Sequence, residues 1–249
     1  MKMFLKILLV VICGQGAMAQ EISGEAIYVL KKKIDLDQNI SEEEKTKKEE
    51  RLKKLYEKKM QLKFNTKASF YKEMPTLLAE ENAMYRLGFI GGSGGYISNG
   101  IYKNIEADSL VEQREFLGKL FLVKDNVPEL DWELKEKAKK IGNYDAFMAT
   151  AVVQLEIDNS ANPLKKIEAN YIMTAWYTPQ IPVAHGPDVF YGLPGLILEV
   201  HLKDTVLLCE KVTLELGNNV SIDIPTTGEV VTLAKYNQIV VQKLKEREN

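Results

Sequence analysis

Residues 175–200 read AWYTPQIPVAHGPDVFYGLPGLILEV and hold four of the chain's eight prolines. Proline has no backbone N–H to donate, so this stretch cannot run as a regular central strand. We therefore expect residues 179–194 to form an extended loop that leads into a strand. In Leu193-Pro194-Gly195-Leu196, proline presets φ at the first central position of a turn and glycine accepts a positive φ at the second, which predicts a type II turn. Gly192, Pro194 and Gly195 are thus predicted to be turn residues.

The segment after this turn has the period-two pattern of a β-strand. One set of alternate residues is apolar and the other is largely polar, which indicates a strand with one buried and one polar face. Glu199, His201 and Lys203 are predicted to stand in a row on the polar face. The two sets are Leu196, Leu198, Val200, Leu202 and Ile197, Glu199, His201, Lys203.

Strand-like patterns recur along the rest of the chain. Residues 62–70 and 151–157 alternate at period two, and short apolar runs follow one another at 25–30, 84–90, 116–124 and 205–216. Turn residues separate these runs, which favours a meandering antiparallel sheet over βαβ units. The predicted fold is mainly β with packed helices (α+β). The expected architecture is a curved antiparallel sheet, similar to the half-barrel of the periplasmic lipoprotein carriers.

Two segments have a helical rather than a strand pattern. Residues 41–63 are rich in Glu and Lys, and Ser41 and Glu44 fit the S-x-x-E capping box. This segment is predicted to be a charged helix inserted between two strands of a hairpin, either solvated or partner-binding. Thr226 and Glu229 form a second capping box before a C-terminal helix. Its apolar stripe is predicted to consist of Val230, Leu233, Val240, Val241 and Leu244.

The first nineteen residues have the features of a secretory signal peptide. Lys2 and Lys6 precede a short apolar core, and Ala17-Met18-Ala19 supplies a small-x-small cleavage site. We therefore predict cleavage of residues 1–19. The remaining residues 20–249 are predicted to form a single domain that carries the helical insertion at about 41–63.

Charge and cysteine content exclude some classes of function. The formal net charge is −2 at pH 7, whereas a nucleic-acid-binding domain needs a basic face, so no nucleic-acid partner is expected. Cys13 lies in the predicted signal peptide, which leaves Cys209 as the only cysteine and rules out an internal disulfide. The apolar residues before Cys209 predict a buried thiol on a strand.

The chain resembles the GLPGLI family of exported bacterial proteins, which is named after the motif found here as Gly192-Leu-Pro-Gly-Leu-Ile197. The chain also resembles that family upstream, in Trp132, in Ile141-Gly142-Asn143-Tyr144, and in the lead-in that runs from Trp176 to Pro187. Residues 145–148 depart from a family pattern that often includes a cysteine. The resemblance covers about residues 132–202. It implies an exported envelope protein, periplasmic, outer-membrane associated or secreted, with no established catalytic residues.

No arrangement of residues in the sequence predicts an enzyme. His185, Asp188, Glu199 and His201 could gather around a metal, but their spacing matches no known ligand motif. The glycine-rich residues 91–95 lack the G-K-[ST] ending of a phosphate-binding loop. No serine lies in a G-x-S-x-G elbow. We therefore predict no metal, no cofactor and no catalytic residue.

We call the predicted loop at residues 179–194 the Pro-rich loop. The aromatic residues in this loop and just before it are the candidate binding residues. Either they dock the loop on the sheet, or they rim a recognition surface. The favoured hypothesis is a non-catalytic binding or carrier protein for an apolar small molecule or an outer-membrane partner. The alternative is a structural or accessory subunit of an outer-membrane complex, and an unrecognised enzyme ranks third. The candidates are Trp176, Tyr177, Phe190 and Tyr191.

Overall fold

The computed structural model describes residues 21–32, 41–47, 50, 57–75, 97–159, 162–216 and 220–248. Within them, twelve strands form one open, curved sheet, and a helix follows the last strand. The α+β class and the curved sheet are therefore confirmed. The strands are β1 (Ile22–Lys32), β2 (Lys58–Phe64), β3 (Ala68–Glu73), β4 (Ile97–Asn104), β5 (Ser109–Phe116), β6 (Lys119–Asp125), β7 (Glu133–Ile141), β8 (Tyr144–Asn159), β9 (Asn162–Thr178), β10 (Leu196–Leu202), β11 (Thr205–Leu216) and β12 (Glu229–Val231), and the C-terminal helix is Leu233–Glu248.

The first strand along the chain lies in the middle of the sheet. The strand order is β12-β6-β5-β4-β3-β2-β1-β11-β10-β9-β8-β7, so β1 pairs with β2 on one side and with β11 on the other. Neighbouring strands are antiparallel, as predicted, apart from β12 and β6, which pair in parallel. The sheet is therefore mixed. In the middle of the sheet, β1 from the N-terminal part of the described chain pairs with β11 from its C-terminal part.

The prediction of one strand over residues 62–70 is wrong, because a hairpin turn interrupts it. β2 ends at Phe64 and β3 begins at Ala68. The side-chain oxygen Oδ1 of Asn65 accepts the backbone N–H groups of Lys67 at 2.9 Å and Ala68 at 2.8 Å. Asparagine forms such local hydrogen bonds readily and so reverses the chain without glycine or proline.

The predicted helical insertion is shorter than residues 41–63. Residues 42–47 and 50 are helical, and the capping box is present, with the N–H of Ser41 donating to Glu44 Oε2 and the N–H of Glu44 donating to Ser41 Oγ, both at 3.3 Å. By Lys58 the chain is in β2, where Met60 pairs with Tyr28 and Glu73. Pairing with strands on both sides thus outweighs the helical preference of Lys and Glu there.

The C-terminal helix begins later than its predicted capping box. Residues 229–231 form β12, and the first helical residue is Leu233. Thr232 is the N-cap, since its Oγ1 accepts the backbone N–H of Lys235 at 3.2 Å. The helix packs on β6, where the ring of Tyr236 meets that of Phe121 edge-to-face at 5.3 Å between centroids.

A β-bulge divides the predicted apolar face of β10. The register between β10 and β9 shifts between Ile197 and Glu199, so Leu198 is an extra residue. After the bulge, Val200 packs in the same buried cluster as Ile197, whereas Leu198 packs in a different one. The predicted common face of Leu196, Leu198, Val200 and Leu202 is therefore wrong.

Some predicted features lie outside the described residues. These are the signal peptide at 1–19, the apolar run at 84–90 and the glycine-rich residues 91–95. In the part of the chain that the structure describes, no helix is long and apolar enough to span a bilayer.

Candidate functional site

The Pro-rich loop folds back onto the start of β10. The backbone N–H of Leu196 donates to the carbonyl of Ile181 at 2.9 Å, and that of Ile197 donates to the carbonyl of His185 at 3.0 Å. His185 also forms an isolated β-bridge with Tyr191. Loop side chains then enter the core, with Ile181 and Phe190 fully buried. The loop is therefore part of the packed interior.

The turn before β10 is tighter than the predicted type II turn. The N–H of Gly195 donates to the carbonyl of Leu193 at 2.8 Å, which closes a three-residue γ-turn around Pro194. Leu196, whose N–H would close a type II turn, bonds to Ile181 instead. A Cβ on Gly195 would lie 2.1 Å from the carbonyl oxygen of Thr178. Glycine is required here because the turn presses against the end of β9.

A fully buried lysine holds the loop to the opposite half of the sheet. Lys103 lies on β4, and its Nζ donates to three loop carbonyls, those of Gly186 at 3.0 Å, Asp188 at 2.5 Å and Phe190 at 2.8 Å. An ammonium group has three N–H donors, so this set of acceptors satisfies it completely. We call this arrangement the Lys103 clamp. It joins residues more than 80 positions apart in the chain.

Further ionisable groups are buried beside the clamp. Burial lowers the pKa of Lys103 to about 7, opposed by the charge of Asp188. Burial, with a smaller contribution from Glu112, raises the pKa of Asp188 to about 6, while Lys103 acts in the opposite direction. Glu112 and Arg114, both on β5, form a buried ion pair at 2.7 Å. The guanidinium of Arg114 lies 5.0 Å from the centre of the Tyr236 ring.

His185 is buried in the same region. Burial, helped by the charge of Lys103, lowers its pKa to about 3, and the nearby carbonyl of Asn65 acts weakly in the opposite direction. Neither ring nitrogen has a partner of normal hydrogen-bond geometry among the described residues. A neutral, buried imidazole is therefore enclosed between the loop and the β2–β3 turn.

An open groove of about 580 Å³ lies on the outer side of this loop. Tyr191 and Ala184 of the loop form one wall, and the β2–β3 and β4–β5 turns form the others. Lys67 and Glu106 contribute an exposed ion pair of 3.0 Å to its rim. The groove is thus a concave surface with apolar side chains and one charged pair. Its lining residues are Thr66, Lys67, Ile105, Glu106, Ala184, Tyr191 and Gly192.

The four predicted aromatic residues do not share one site. Tyr191 lines the groove, together with Gly192. Tyr177 and Phe190 are buried in the same apolar cluster, where they fill the core. Trp176 is half-buried and does not line the groove, although it packs against the same core cluster as Tyr191, and Lys139 Nζ lies 4.3 Å from the centre of its ring. A single aromatic rim formed by all four is therefore not what the fold produces.

Glu199 and His201 come together as predicted, but Lys203 does not join them. Glu199 accepts hydrogen bonds from Lys139 Nζ, at 2.7 Å, and from His201 Nε2. Burial raises the pKa of Glu199, but these two partners outweigh it and hold that pKa below its usual value. Lys203 lies in the β10–β11 turn with its Nζ 4.8 Å from the centre of the Tyr171 ring.

Cys209 and the candidate metal ligands are the remaining groups named from the sequence. Cys209 is buried, and burial raises the pKa of its thiol to about 12, so it is a thiol at neutral pH. Among the described residues, no three His, Cys, Asp or Glu side chains gather closely enough to hold a metal ion. Glu199 and His201 contact each other and Lys139, whereas His185 and Asp188 lie in the buried loop near Lys103.

Lys103 was missed at the sequence level, although its strand contains a signal. Within β4, Ile101 and Lys103 are two residues apart and therefore point to the same face. Ile101 is buried, so a lysine next to it on that face occupies a core position. Lysine is almost never fully buried unless its charge is paired or hydrogen-bonded.

Comparison with known proteins gives a family of unknown function and a fold. Residues 132–199 match the model of a family described as a protein of unknown function (Porph_ging). Two solved structures of PNGF-II, in space groups C2 and P21, are similar in fold, with TM-scores of 0.52 and 0.53 and sequence identities of 12% and 13%. Each match covers 89% of this chain and 33% of the PNGF-II chain. A comparison with curated protein sequences found no match.

These comparisons show a fold and a family match over part of the chain, and they carry no activity. The family match starts at Trp132, includes the whole Pro-rich loop and ends at Glu199 in β10. The chain spans about a third of the length of the PNGF-II chains that it matches. At 12–13% identity the likeness shows the fold alone.

Proposed function

We propose that this chain is a non-catalytic binding protein of the bacterial envelope and that its binding site is the groove beside Tyr191. The supporting observation is that one wall of the groove belongs to the loop that the Lys103 clamp holds in place. A binding surface on a rigidly held loop loses little conformational entropy when a ligand binds. The same proposal includes two statements that rest on sequence motifs: the chain is exported, and it is a member of the GLPGLI family.

The lining of the groove favours a ligand or partner side chain that is largely apolar. Tyr191 offers an aromatic ring, and Ile105 and Ala184 add aliphatic surface. The Lys67–Glu106 pair at the rim is already neutralised internally, so it contributes orientation more than charge attraction. An apolar small molecule or an apolar segment of an envelope protein fits this chemistry.

A second candidate function has its own observation. Val152 on β8 and Ile172 on β9 are directly paired and are 67% and 73% exposed. Adjacent exposed aliphatic side chains on a sheet favour contact with another protein. The alternative is therefore an accessory subunit that docks on an outer-membrane complex through this part of the sheet.

Native mass spectrometry tests both versions. The mature chain, isolated from its own cell envelope without detergent, is expected to carry reproducible extra mass from a small apolar compound or a partner chain. Tyr191→Ala should remove that mass, whereas Trp176→Ala, a half-buried aromatic residue outside the groove, should retain it. Loss of the extra mass in Val152→Lys but not in Tyr191→Ala would favour the accessory subunit. Bare monomer mass in the unmodified protein would contradict both.

A further inference from the structure

Several buried polar atoms close to the Lys103 clamp have no hydrogen-bond partner among the described residues. They are the hydroxyl oxygens of Ser69 and Tyr71 and both ring nitrogens of His185. Ser69 and His185 are fully buried, and Tyr71 is nearly so. Most buried polar atoms in folded proteins have a partner, either protein or ordered water. A group of such atoms in one region therefore indicates a binding site for something polar.

The strand register and the electrostatics place these atoms around Lys103. Ser69 on β3 is directly paired with Lys103 on β4, and Tyr71 follows two residues later on the same face of β3. Lys103 Nζ donates to the carbonyl of Gly186 at 3.0 Å, and Gly186 is the residue directly after His185. The charge of Asp188 contributes, after burial, to raising the pKa of Tyr71. The unpartnered atoms thus belong to residues that adjoin Lys103 in the sheet, Ser69 and Tyr71, or adjoin its acceptor Gly186 in the loop, His185.

Lys103 and one carboxylate oxygen of Asp188 are already engaged in other hydrogen bonds. All three N–H donors of Lys103 point to loop carbonyls. Asp188 Oδ1 accepts the backbone N–H of Val189 at 2.7 Å. The groups left over are two hydroxyls and a neutral imidazole, each of which can both donate and accept. Their natural ligand is a small neutral molecule that also does both.

We propose that Ser69, Tyr71 and His185 form a buried site that binds ordered water. Water of this kind makes about three hydrogen bonds to otherwise unsatisfied polar groups and belongs to the fold. The site lies behind the groove wall, because His185 follows Ala184 of the groove lining and is bridged to Tyr191. The same loop therefore contributes both to the groove and to the water site.

A crystal structure of the full mature chain, at a resolution that shows ordered water, tests the site directly. The expected result is density within hydrogen-bond distance of His185 and of at least one of the hydroxyls of Ser69 and Tyr71. Direct pairing of Tyr71 with Asp188, or an absence of such density, would overturn the proposal.

Two hydroxyl deletions provide an independent test in solution. A hydroxyl bonded to buried water stabilises the fold, whereas a dry, unpartnered hydroxyl costs stability, so its removal has opposite signs in the two cases. Tyr71→Phe and Ser69→Ala should each lower the melting temperature, by about 2–4 °C. A rise in the melting temperature of both variants would reject the water site. Tyr28→Phe, which removes a hydroxyl with a known acceptor, calibrates the scale.

Discussion

The Tyr28 hydroxyl on β1 donates a 2.6 Å hydrogen bond to the backbone carbonyl of Ile197 on β10. These two strands are not neighbours, because β11 lies between them. Pairing of β10 with β11 starts only at Glu199, so Ile197 lies beside the bulge and outside that ladder. The tyrosine side chain supplies the donor that a neighbouring strand would otherwise provide.

Removal of that donor should destabilise the fold. Tyr28→Phe keeps the buried ring but leaves the Ile197 carbonyl without this donor. The expected loss in the free energy of unfolding is about 1–3 kcal/mol, the cost of an unsatisfied buried polar group. Urea denaturation monitored by circular dichroism measures it. An unchanged midpoint and slope would show that the hydrogen bond contributes nothing to stability.

Gly195 should be far less tolerant of alanine than a glycine in open space. In Gly195→Ala the new Cβ would meet the Thr178 carbonyl at 2.1 Å, so strand β9 or the loop must move. We expect a loss of about 3 kcal/mol or more, at the upper end of overpacking costs.

Gly142→Ala is the matched control for Gly195→Ala. Gly142 has a φ of +55°, and a Cβ there would have no atom within 4 Å. It should therefore cost only about 1 kcal/mol, the left-handed backbone penalty. Equal melting temperatures for the two variants would contradict the close contact at Thr178.

His185 should make the protein sensitive to acid. Its pKa is about 3 in the folded protein against 6.5 for the free side chain. Between these values the unfolded chain binds a proton that the folded chain does not, so stability falls as the pH is lowered from 6.5 towards 3. The slope is up to about 1.4 kcal/mol per pH unit. The part of this slope that is due to the histidine should be absent in His185→Gln, because glutamine is neutral at every pH.

Asp188 acts in the opposite direction over an overlapping range. Its pKa is raised from 3.8 to about 6, so its contribution to stability falls as the pH rises between these values. The measurement is therefore the difference in unfolding free energy between wild type and His185→Gln, taken by urea denaturation from pH 7 to 3.5. A difference that does not vary with pH would mean that the histidine is not buried in its neutral form.

The start of the C-terminal helix can be located by removing its cap. Thr232→Ala deletes the side-chain acceptor for the Lys235 N–H and should cost about 1 kcal/mol. Thr226→Ala removes the threonine of the sequence-level capping box, which is exposed and lies before β12. It should leave the thermal unfolding curve unchanged. The reverse result would place the helix start at Thr226.

Local patterns predict part of the sheet and the character of the loop, whereas they leave strands such as β4, β7, β9 and β12 unidentified. Period-two alternation identifies β8, and the apolar run over 205–216 corresponds to β11. The prolines of residues 179–194 correctly indicate a segment without regular strands. The capping box at Ser41 is present because it depends on residues only three positions apart.

Features that depend on distant residues are the ones that sequence patterns miss. The Lys103 clamp involves carbonyls 83 to 87 positions away, so no local pattern contains it. The bulge at Leu198 becomes visible only through pairing with β9, and one extra residue reverses the faces of the rest of β10. By contrast, Trp176 and Tyr177 lie in different packing environments for a local reason, because successive residues of a strand point to opposite faces.

The central position of β1 constrains the order in which the chain can fold. β1 pairs with β2 locally, but its other edge must wait for β11, whose residues lie more than 170 positions later. Until then, that edge exposes unpaired backbone groups and the incomplete chain is open to aggregation. Such long-range pairing slows folding. A chaperone that covers the open edge of β1 would therefore benefit this protein most during synthesis.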